Sequence, residues 1–340
     1  MMKETILYEK FDDNKVKCGI CPWRCVLKPG KLGNCGTREN INGKLFSLTY
    51  ASISSLAIDP MEKKPMYHFY PGNPILSISA VGCNFHCKHC QNWNISQVKA
   101  TEARLREMSP EDVINHAKKQ NCKHIAYTYN EPLIWLEYIL DVAKLARENG
   151  MKNVLVTNGY VTLEAFGLIK PYIDGANVDI KAFTDEFYQK IVGVPSIKPV
   201  LETVKAMHEA GILVEITNLI IPTKNDNMEE IKALCDWILN NLSDEVPLHF
   251  SKFHPMFQLN DVPSTPRETL ENAYRTAKKV GLKYVYLGNI YVPKTSNTYC
   301  PNCEALIIER QGYSISCKNL SDKNNCKKCN TPINIVGKCY

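Results

Sequence analysis

Strand-like and helix-like segments alternate regularly between about residues 74 and 290. Short runs rich in β-branched and aromatic residues, such as HIAYTY (124–129) and LVEITNLI (213–220), are each followed by a stretch with the apolar spacing of a helix. Repeated strand-helix units predict right-handed crossovers, and therefore a parallel sheet with helices outside it. Two architectures satisfy this pattern, an open doubly wound sheet and a β/α barrel.

Polar residues that follow six consecutive strands favour the barrel. The first strand is followed by three cysteines, and the next five lead to Glu131, Thr157-Asn158-Gly159, Asp179 with Lys181, Asn218 and His254. In a barrel all these strand ends meet on one face, whereas an open sheet gathers such residues at a single switch point. We therefore predict an α/β fold containing a partial (β/α)6 TIM-like barrel over residues 73–292, with one site at its carboxyl end.

Eleven of the fifteen cysteines fall into three tight clusters. Because the chain is long and the N-terminus carries no apolar leader, metal binding by reduced thiolates is predicted in preference to a disulfide scaffold. The clusters predict a four-cysteine module with a linker at 1–72, the barrel, and a second four-cysteine module at 293–340. Their members are Cys18, Cys21, Cys25 and Cys35, then Cys83, Cys87 and Cys90, then Cys300, Cys303, Cys326 and Cys329.

The two outer clusters have different spacings. The C-terminal one is C-x2-C-x22-C-x2-C with the strand-like segment ALIIERQGYSIS between its knuckles, which is typical of a zinc ribbon and predicts structural Zn²⁺, with rubredoxin-like iron as the rival. The N-terminal one, C-x2-C-x3-C-x9-C, suits either Zn²⁺ or a [4Fe-4S] cluster. Cys317 and Cys339 lie outside the clusters and are predicted to be free thiols.

The middle cluster has only three thiols, in the segment GCNFHCKHCQN (82–92). From its spacing alone, one interpretation is a structural zinc site completed by His86 or His89. The other is an iron-sulfur centre, which soft thiolate ligands also favour. Structural zinc sites usually have paired C-x2-C knuckles, which this cluster lacks.

The C-x3-C-x2-C motif resembles that of the radical S-adenosylmethionine superfamily, whose three cysteines bind three irons of a [4Fe-4S] cluster. The resemblance implies that the fourth iron binds the amino and carboxylate groups of S-adenosylmethionine. YNEP (129–132) resembles the superfamily's Gly-Gly-Glu-Pro segment, which implies that Glu131, beside Asn130, holds the methionyl ammonium. TNG (157–159) and VDIKAF (178–183) resemble segments of pyruvate formate-lyase activating enzymes. The cofactor contacts that this implies come from Thr157, Asn158, Asp179, Lys181 and His254.

Five ordered segments between residues 18 and 310 resemble the AmmeMemoRadiSam-type family of radical S-adenosylmethionine proteins. They include CGICPWRCVLKPGKLGNCGTREN, DPMEKKPMYHFYPG and NTYCPNCEALIIER. The resemblance implies an oxidoreductase that cleaves S-adenosylmethionine reductively and abstracts hydrogen from a substrate, expected to be a protein as for the activases. It also implies a one-electron reductant such as ferredoxin or flavodoxin. The alternatives left open are radical modification of RNA or a small metabolite, and a non-catalytic protein that binds several zinc ions.

The formal charge of +6 overstates the basic character of the chain. Three metal-loaded thiolate clusters would contribute about −5, which brings the protein near +1. Charge therefore gives no reason to expect a nucleic-acid partner, although it does not exclude one. No run of roughly 18 apolar residues occurs, so we expect no membrane span and a cytoplasmic location.

Overall fold

The computed structural model describes all residues, 1–340. Two small antiparallel sheets lie at the N-terminus, with strand orders β1-β6-β5 and β2-β3-β4. Cys18 ends β3 and Cys35 comes shortly before β5, so these sheets flank the first cysteine cluster. The N-terminal strands are β1 (Lys3–Glu4), β2 (Tyr8–Lys10), β3 (Val16–Cys18), β4 (Val26–Leu27), β5 (Arg38–Ile41), β6 (Lys44–Ser47), β7 (Ser52–Ile53) and β8 (Ser55–Pro60).

A curved eight-stranded sheet forms the centre of the molecule, in the order β16-β15-β14-β13-β12-β11-β9-β8. Its seven strands from β9 onward run parallel, and β8 pairs antiparallel with β9. Edge strands β8 and β16 do not pair with each other, so the barrel is open; the short β10 pairs with β7 instead. The strands are β9 (Pro74–Ser79), β10 (Arg106–Glu107), β11 (His124–Tyr127), β12 (Lys152–Thr157), β13 (Gly175–Asp179), β14 (Leu213–Ile220), β15 (Leu248–Lys252) and β16 (Val285–Gly288).

The partial β/α barrel predicted from the strand ends is thus confirmed. After the six predicted units, β16 matches a seventh strand that YVYLG (284–288) predicts, and β8 adds an antiparallel edge. The helices are α1 (Trp93–Ser96), α2 (Pro110–Lys119), α3 (Leu136–Glu148), α4 (Leu163–Ile169), α5 (Asp185–Phe187), α6 (Lys198–Glu209), α7 (Met228–Asn241) and α8 (Arg267–Val280). Short 3-10 turns span Met61–Lys63, Pro132–Trp135 and Lys170–Tyr172, and a π turn spans Tyr188–Val192.

One apolar core joins the N-terminal sheets to the barrel. Val16, Ile20 and Leu45 belong to the same buried cluster as barrel residues such as Leu155 and Ile216. Because apolar burial is the main favourable contribution to folding, this continuity means that the first cysteine module packs as part of the barrel. None of the helices has the combination of length and apolarity that a membrane crossing requires.

From their position between the N-terminal module and the first barrel strand, residues 59–72 are predicted either to cover the barrel mouth or to form an ordinary surface linker. In the structure this segment instead packs against the inward-facing side of β13. The Met66 and Phe69 side chains lie against Gly175, and the Pro65 carbonyl accepts a hydrogen bond of 2.8 Å from the Asn177 amide. Lys64 is 2% exposed. The segment is therefore part of the barrel interior.

The C-terminal module is a three-stranded antiparallel sheet of β17 (Thr298–Tyr299), β18 (Leu306–Gln311) and β19 (Ser314–Cys317). Its apolar residues pack with Tyr284 and Tyr286 of the barrel in a separate small core. The prediction of free thiols at Cys317 and Cys339 is wrong, because the structure joins them in a disulfide. The chain end folds back, with the Tyr340 amide donating to the Pro71 carbonyl, and this brings Cys339 beside β19, which cysteine spacing alone did not show.

Candidate functional site

A cavity of about 520 Å³ opens at the carboxyl ends of the barrel strands. Pockets of about 300–1,000 Å³ typically hold one ligand of cofactor or drug size. The cavity gathers nine of the ten side chains that the sequence predicted for the central site: Cys83, Cys87, Cys90, Asn130, Glu131, Thr157, Asn158, Asp179 and Lys181.

The three cysteines stand on one wall of this cavity, in the loop after β9. Burial raises the pKa of Cys87 to about 12 and that of Cys83 well above its ordinary value. Thiolates in such a place need a bound cation, because desolvation penalises their charge. The three sulfur atoms do not converge to within 4.8 Å of one another, as the ligands of a single metal ion would. This wider, all-thiolate donor set fits an iron-sulfur cluster.

Neither neighbouring histidine completes a compact zinc site with these thiols. His86 is exposed, and its Nδ1 lies 3.2 Å from the Gln97 side-chain oxygen. His89 is 4% exposed and lines the cavity, with Nδ1 unpaired. No three cysteine or histidine ligand atoms of this loop lie within 4.8 Å of one another, as the ligands of a single zinc ion would. The geometry thus favours the three-thiol interpretation over the four-ligand zinc site.

Glu131 provides a buried carboxylate at the end of β11. Its Oε1 accepts hydrogen bonds from the Thr157 hydroxyl at 2.7 Å and from the Leu133 amide at 2.9 Å. Its Oε2 accepts one from the Asn158 amide at 2.7 Å. Burial raises the pKa of Glu131 to about 7, although these donors act in the opposite direction. A carboxylate so poorly solvated is suited to pair with a cation that enters the cavity.

Asp179 and Lys181 form an ion pair of 2.9 Å at the end of β13. Burial opposes the charge on Lys181, but the Asp179 carboxylate and the Cys87 thiol hold the pKa of the ammonium above its ordinary value. Asn130 donates to the Gly82 carbonyl at 2.9 Å, and its Oδ1 is buried without a partner. The cavity therefore offers an anion, a cation and a free acceptor to one ligand.

His254 is the one predicted residue that the structure leaves outside the cavity. β15 ends at Lys252, and the buried Phe253 donates its amide to the Thr265 hydroxyl at 2.8 Å. This contact turns the chain outward, so that His254 is exposed and its Nδ1 lies 3.2 Å from the Ser264 hydroxyl. Its assignment as a cofactor ligand is not supported by this position.

Sequence reasoning missed a second charged group at the cavity, where Lys64 and Tyr129 line the wall and both contact Asp59. Lys64 Nζ lies 2.6 Å from Asp59 Oδ2 and 4.2 Å from the centre of the Tyr129 ring. The Tyr129 hydroxyl donates to the same carboxylate. Burial lowers the pKa of Lys64 to about 8. In the sequence, DPMEKK (59–64) is an ordinary charged run, and nothing in it marks one lysine as internal.

The two outer cysteine clusters differ in compactness. The four C-terminal sulfur atoms lie within 4.8 Å of one another, with Cys300 and Cys329 at 3.4 Å and Cys303 and Cys326 at 3.7 Å. A tetrahedral ion with Zn–S bonds of about 2.3 Å separates its sulfur ligands by roughly 3.8 Å, so this group could hold one metal ion. The four N-terminal cysteines line a small cavity of their own and do not converge in this way.

Comparison with known proteins identifies the barrel. Residues 77–238 match the family model described as the radical SAM superfamily. An uncharacterised protein of Methanocaldococcus jannaschii is 48% identical over 98% of this chain and 100% of its own length. The pyruvate formate-lyase-activating enzyme of Clostridium pasteurianum is 24% identical over 58% of this chain and 88% of its own.

Among solved structures, a radical SAM methyltransferase from Sphaerobacter thermophilus superposes with a TM-score of 0.51 at 13% identity. The alignment covers 64% of this chain and 67% of that one. At this identity the likeness concerns the fold.

Proposed function

Because this chain belongs to the radical S-adenosylmethionine superfamily, we propose that it reductively cleaves S-adenosylmethionine and abstracts a hydrogen atom from a protein substrate. The observation that carries the proposal is the single cavity in which three thiols, Glu131, Asp179 and Lys181 meet. When bound, the [4Fe-4S] cluster supplies one electron to S-adenosylmethionine, which yields methionine and a 5′-deoxyadenosyl radical that removes the hydrogen.

Cys83, Cys87 and Cys90 would hold the cluster, and the three-cysteine motif contains no fourth thiol. This leaves one iron for a small-molecule ligand. The Phe85 amide lies 3.3 Å from Cys83 Sγ, and the Ser96 hydroxyl lies 2.9 Å from Cys90 Sγ. Hydrogen bonds to ligating sulfur spread its negative charge and fix its direction, which is how a protein tunes such a centre.

Glu131 would bind the methionyl ammonium, and Lys181 the methionyl carboxylate. An amino acid end group carries both charges, and the cavity presents the complementary pair at the ends of β11 and β13, the two strands that flank β12. In this arrangement Asp179 is free to accept hydrogen bonds from ribose hydroxyls. Thr157 and Asn158 already donate to Glu131, so we assign them to positioning this carboxylate.

The volume of the cavity supports a substrate that is not enclosed with the cofactor. A space of about 520 Å³ suits one ligand, and S-adenosylmethionine would take most of it. The substrate must then reach in from outside, and the sheet is open between β8 and β16. A protein loop can do this in an extended conformation. The similarity to an activating enzyme, which is named for its action on another enzyme, is consistent with this choice.

The experiment is to measure 5′-deoxyadenosine after anaerobic reconstitution with iron and sulfide and reduction by dithionite. Cys87→Ala should abolish both the iron-dependent absorbance of this site and the product. Cys235→Ala is the matched control, because Cys235 is equally buried but lies on α7, away from the cavity. Full product formation by Cys87→Ala would refute the assignment.

Substrate class is tested by growing cells in deuterated medium and separating their extract into protein and low-molecular-mass fractions. We expect the protein fraction to transfer deuterium to 5′-deoxyadenosine. Proteolysis of that fraction should abolish the transfer. Transfer only from the low-molecular-mass fraction would show that the substrate is a metabolite. RNase treatment that removes transfer would show that it is RNA.

For the C-terminal group we propose structural Zn²⁺. The sulfur separations of 3.4 and 3.7 Å support it, because they match a single tetrahedral ion.

A further inference from the structure

The N-terminal cysteines Cys18, Cys21, Cys25 and Cys35 enclose a second, smaller cavity. Aliphatic side chains of Ile20 and Ile134 supply part of its wall, and the only charged side chain that lines it belongs to Arg38. The cavity is separate from the one described above, and the proposed reaction does not use it.

The spacing of these four thiols differs from that of the C-terminal group. No three of their sulfur atoms lie within 4.8 Å of one another, whereas the four C-terminal sulfurs do. Cys83, Cys87 and Cys90, where the superfamily implies an iron-sulfur cluster, share the wider spacing. A cuboidal cluster bonds each thiolate to a different iron and so keeps the sulfurs farther apart than a single ion does. The N-terminal set therefore differs from the compact single-ion group in the same way as the three cysteines of the central site.

Arg38 provides an independent observation. Its side chain is 1% exposed, and its two terminal nitrogens donate to Glu137 at 2.7 and 2.9 Å, to the Thr5 hydroxyl at 2.7 Å and to the Ile134 carbonyl at 2.8 Å. The remaining donor, Nε–H, is buried and has no partner. Buried N–H groups are nearly always paired, so an unpaired one on the wall of a cavity indicates an acceptor inside it.

We propose that Cys18, Cys21, Cys25 and Cys35 bind a second [4Fe-4S] cluster, and that Arg38 Nε–H donates a hydrogen bond to one of its sulfur atoms. A four-thiolate cluster is an anion, and the buried guanidinium offsets part of its charge. Glu137 keeps the guanidinium in place through two hydrogen bonds.

The proposed cluster lies beside the first one. A Cβ built on Gly82 would be 2.4 Å from the Cys35 carbonyl oxygen, and Gly82 directly precedes Cys83. The Trp23 indole also donates to the Asn84 carbonyl at 2.8 Å. The two cysteine loops are therefore in direct contact.

Iron and zinc analysis of anaerobically reconstituted full-length protein tests the proposal. We expect about 8 iron atoms per chain in the wild type, and about 4 in the triple variant C83A/C87A/C90A, which leaves the N-terminal site intact. The reduced triple variant should show the electron paramagnetic resonance signal of a [4Fe-4S] cluster, and adding Cys21→Ala and Cys25→Ala should remove it.

Two zinc ions per chain in the wild type, with no iron in the triple variant, would overturn the proposal and establish zinc at the N-terminal site. That outcome leaves the proposed function untouched if the wild type still forms 5′-deoxyadenosine. The opposite outcome is also distinguishable. If the triple variant retains about 4 iron atoms but the wild type forms no 5′-deoxyadenosine, the second cluster is supported and the proposed function fails.

Arg38→Lys in the triple-variant background tests the hydrogen bond. Lysine keeps the charge that Glu137 requires but has no Nε–H group, so the midpoint potential of the cluster should become more negative. Arg310→Lys, at a buried arginine of the C-terminal module, is the matched control and should leave the potential unchanged. An unchanged potential in Arg38→Lys would remove Arg38 from the proposal.

Discussion

Glu131 shows at the scale of one residue how this fold prepares a ligand site. Its carboxylate is buried at a strand end, where three donors hold it in one orientation before any ligand binds. Such positioning reduces the conformational entropy that is lost on binding, because the side chain has few rotamers available before the ligand arrives. The residues that provide the donors should therefore affect cofactor affinity without touching the cofactor.

Thr157→Val is expected to weaken S-adenosylmethionine binding roughly tenfold, because it removes the hydroxyl that orients Glu131 while keeping the side-chain shape. Thr203→Val is the control, since it removes a buried hydroxyl bonded to the Pro199 carbonyl on the outer helix α6. Equilibrium binding to the reconstituted protein measures both. Equal affinities for the two variants would contradict the role given to Thr157.

The pH dependence of binding follows from the same carboxylate. Burial raises the pKa of Glu131 from an ordinary value of 4.5 to about 7, so the ionised form that pairs with an ammonium dominates only above that pH. S-adenosylmethionine binding should therefore tighten as pH rises from about 6 to 8. In the ligand-free protein, protonated Glu131 contributes to folding stability below about pH 4.5, and this contribution should be lost as pH rises to about 7. Glu131→Gln should bind weakly with a flat profile; the same slope in this variant would assign the titration to another group.

Gly82 is expected to be intolerant of any side chain. It has φ of +81°, and an added Cβ would meet the Cys35 carbonyl oxygen at 2.4 Å and the Thr37 side chain at 2.5 Å. Gly82→Ala should reduce iron content and lower the free energy of unfolding by about 1–3 kcal/mol. Gly150→Ala is the control, because Gly150 has φ of +69° and no neighbour within 4 Å. Similar losses in both variants would show that only the backbone conformation matters.

Individual site residues were predictable where a strand end carried an unusual polar side chain. The three cysteines and Glu131 follow buried strands, and their chemistry restricts what they can bind. His254 has the same sequence context, but the contact between the Phe253 amide and Thr265, far along the chain, turns it outward. Lys64 could not be found because its burial depends on pairing with Asp59, which the sequence presents as an ordinary charged run.

At the scale of elements, regular helices begin where sequence signals predict, whereas an irregular turn lies beside the cavity. Helix α2 begins after Ser109 with a capping box to Asp112, as its start signal predicts. The segment LIWLEYILDVAKLAREN (133–149) after β11 predicts one helix, but the structure begins it with a 3-10 turn over Pro132–Trp135. Glu131 caps this turn through the Leu133 amide, so the side chain that faces the cavity also sets the local backbone.

The zinc ion proposed for the C-terminal module can be tested at one of its four cysteines. Cys303 is exposed, so Cys303→Ser removes one sulfur without disturbing packing. We expect the zinc content to fall by about one per chain, the iron content to stay constant and the melting temperature to decrease. Cys122→Ser, at a buried cysteine outside the clusters, serves as the control for metal content. Iron loss in Cys303→Ser would show that the module holds iron instead.

At the scale of the whole molecule, buried ion pairs attach both cysteine modules to the barrel. Arg38 of β5 pairs with Glu137 of α3, and Arg310 of β18 lies over Tyr67 and 3.8 Å from Glu62 in the 59–72 segment. These contacts join residues far apart in sequence. The barrel could therefore be predicted from local periodicity, whereas the packing of the modules and the internal course of residues 59–72 could not.

The central claim is that S-adenosylmethionine binds the cluster held by Cys83, Cys87 and Cys90. Electron-nuclear double resonance of the reduced protein with ¹⁵N-amino and ¹⁷O-carboxylate S-adenosylmethionine measures this contact directly. The account predicts hyperfine coupling from both labels, retained in Cys235→Ala and lost in Cys87→Ala. Absence of coupling in wild-type protein that carries its full iron content would contradict it.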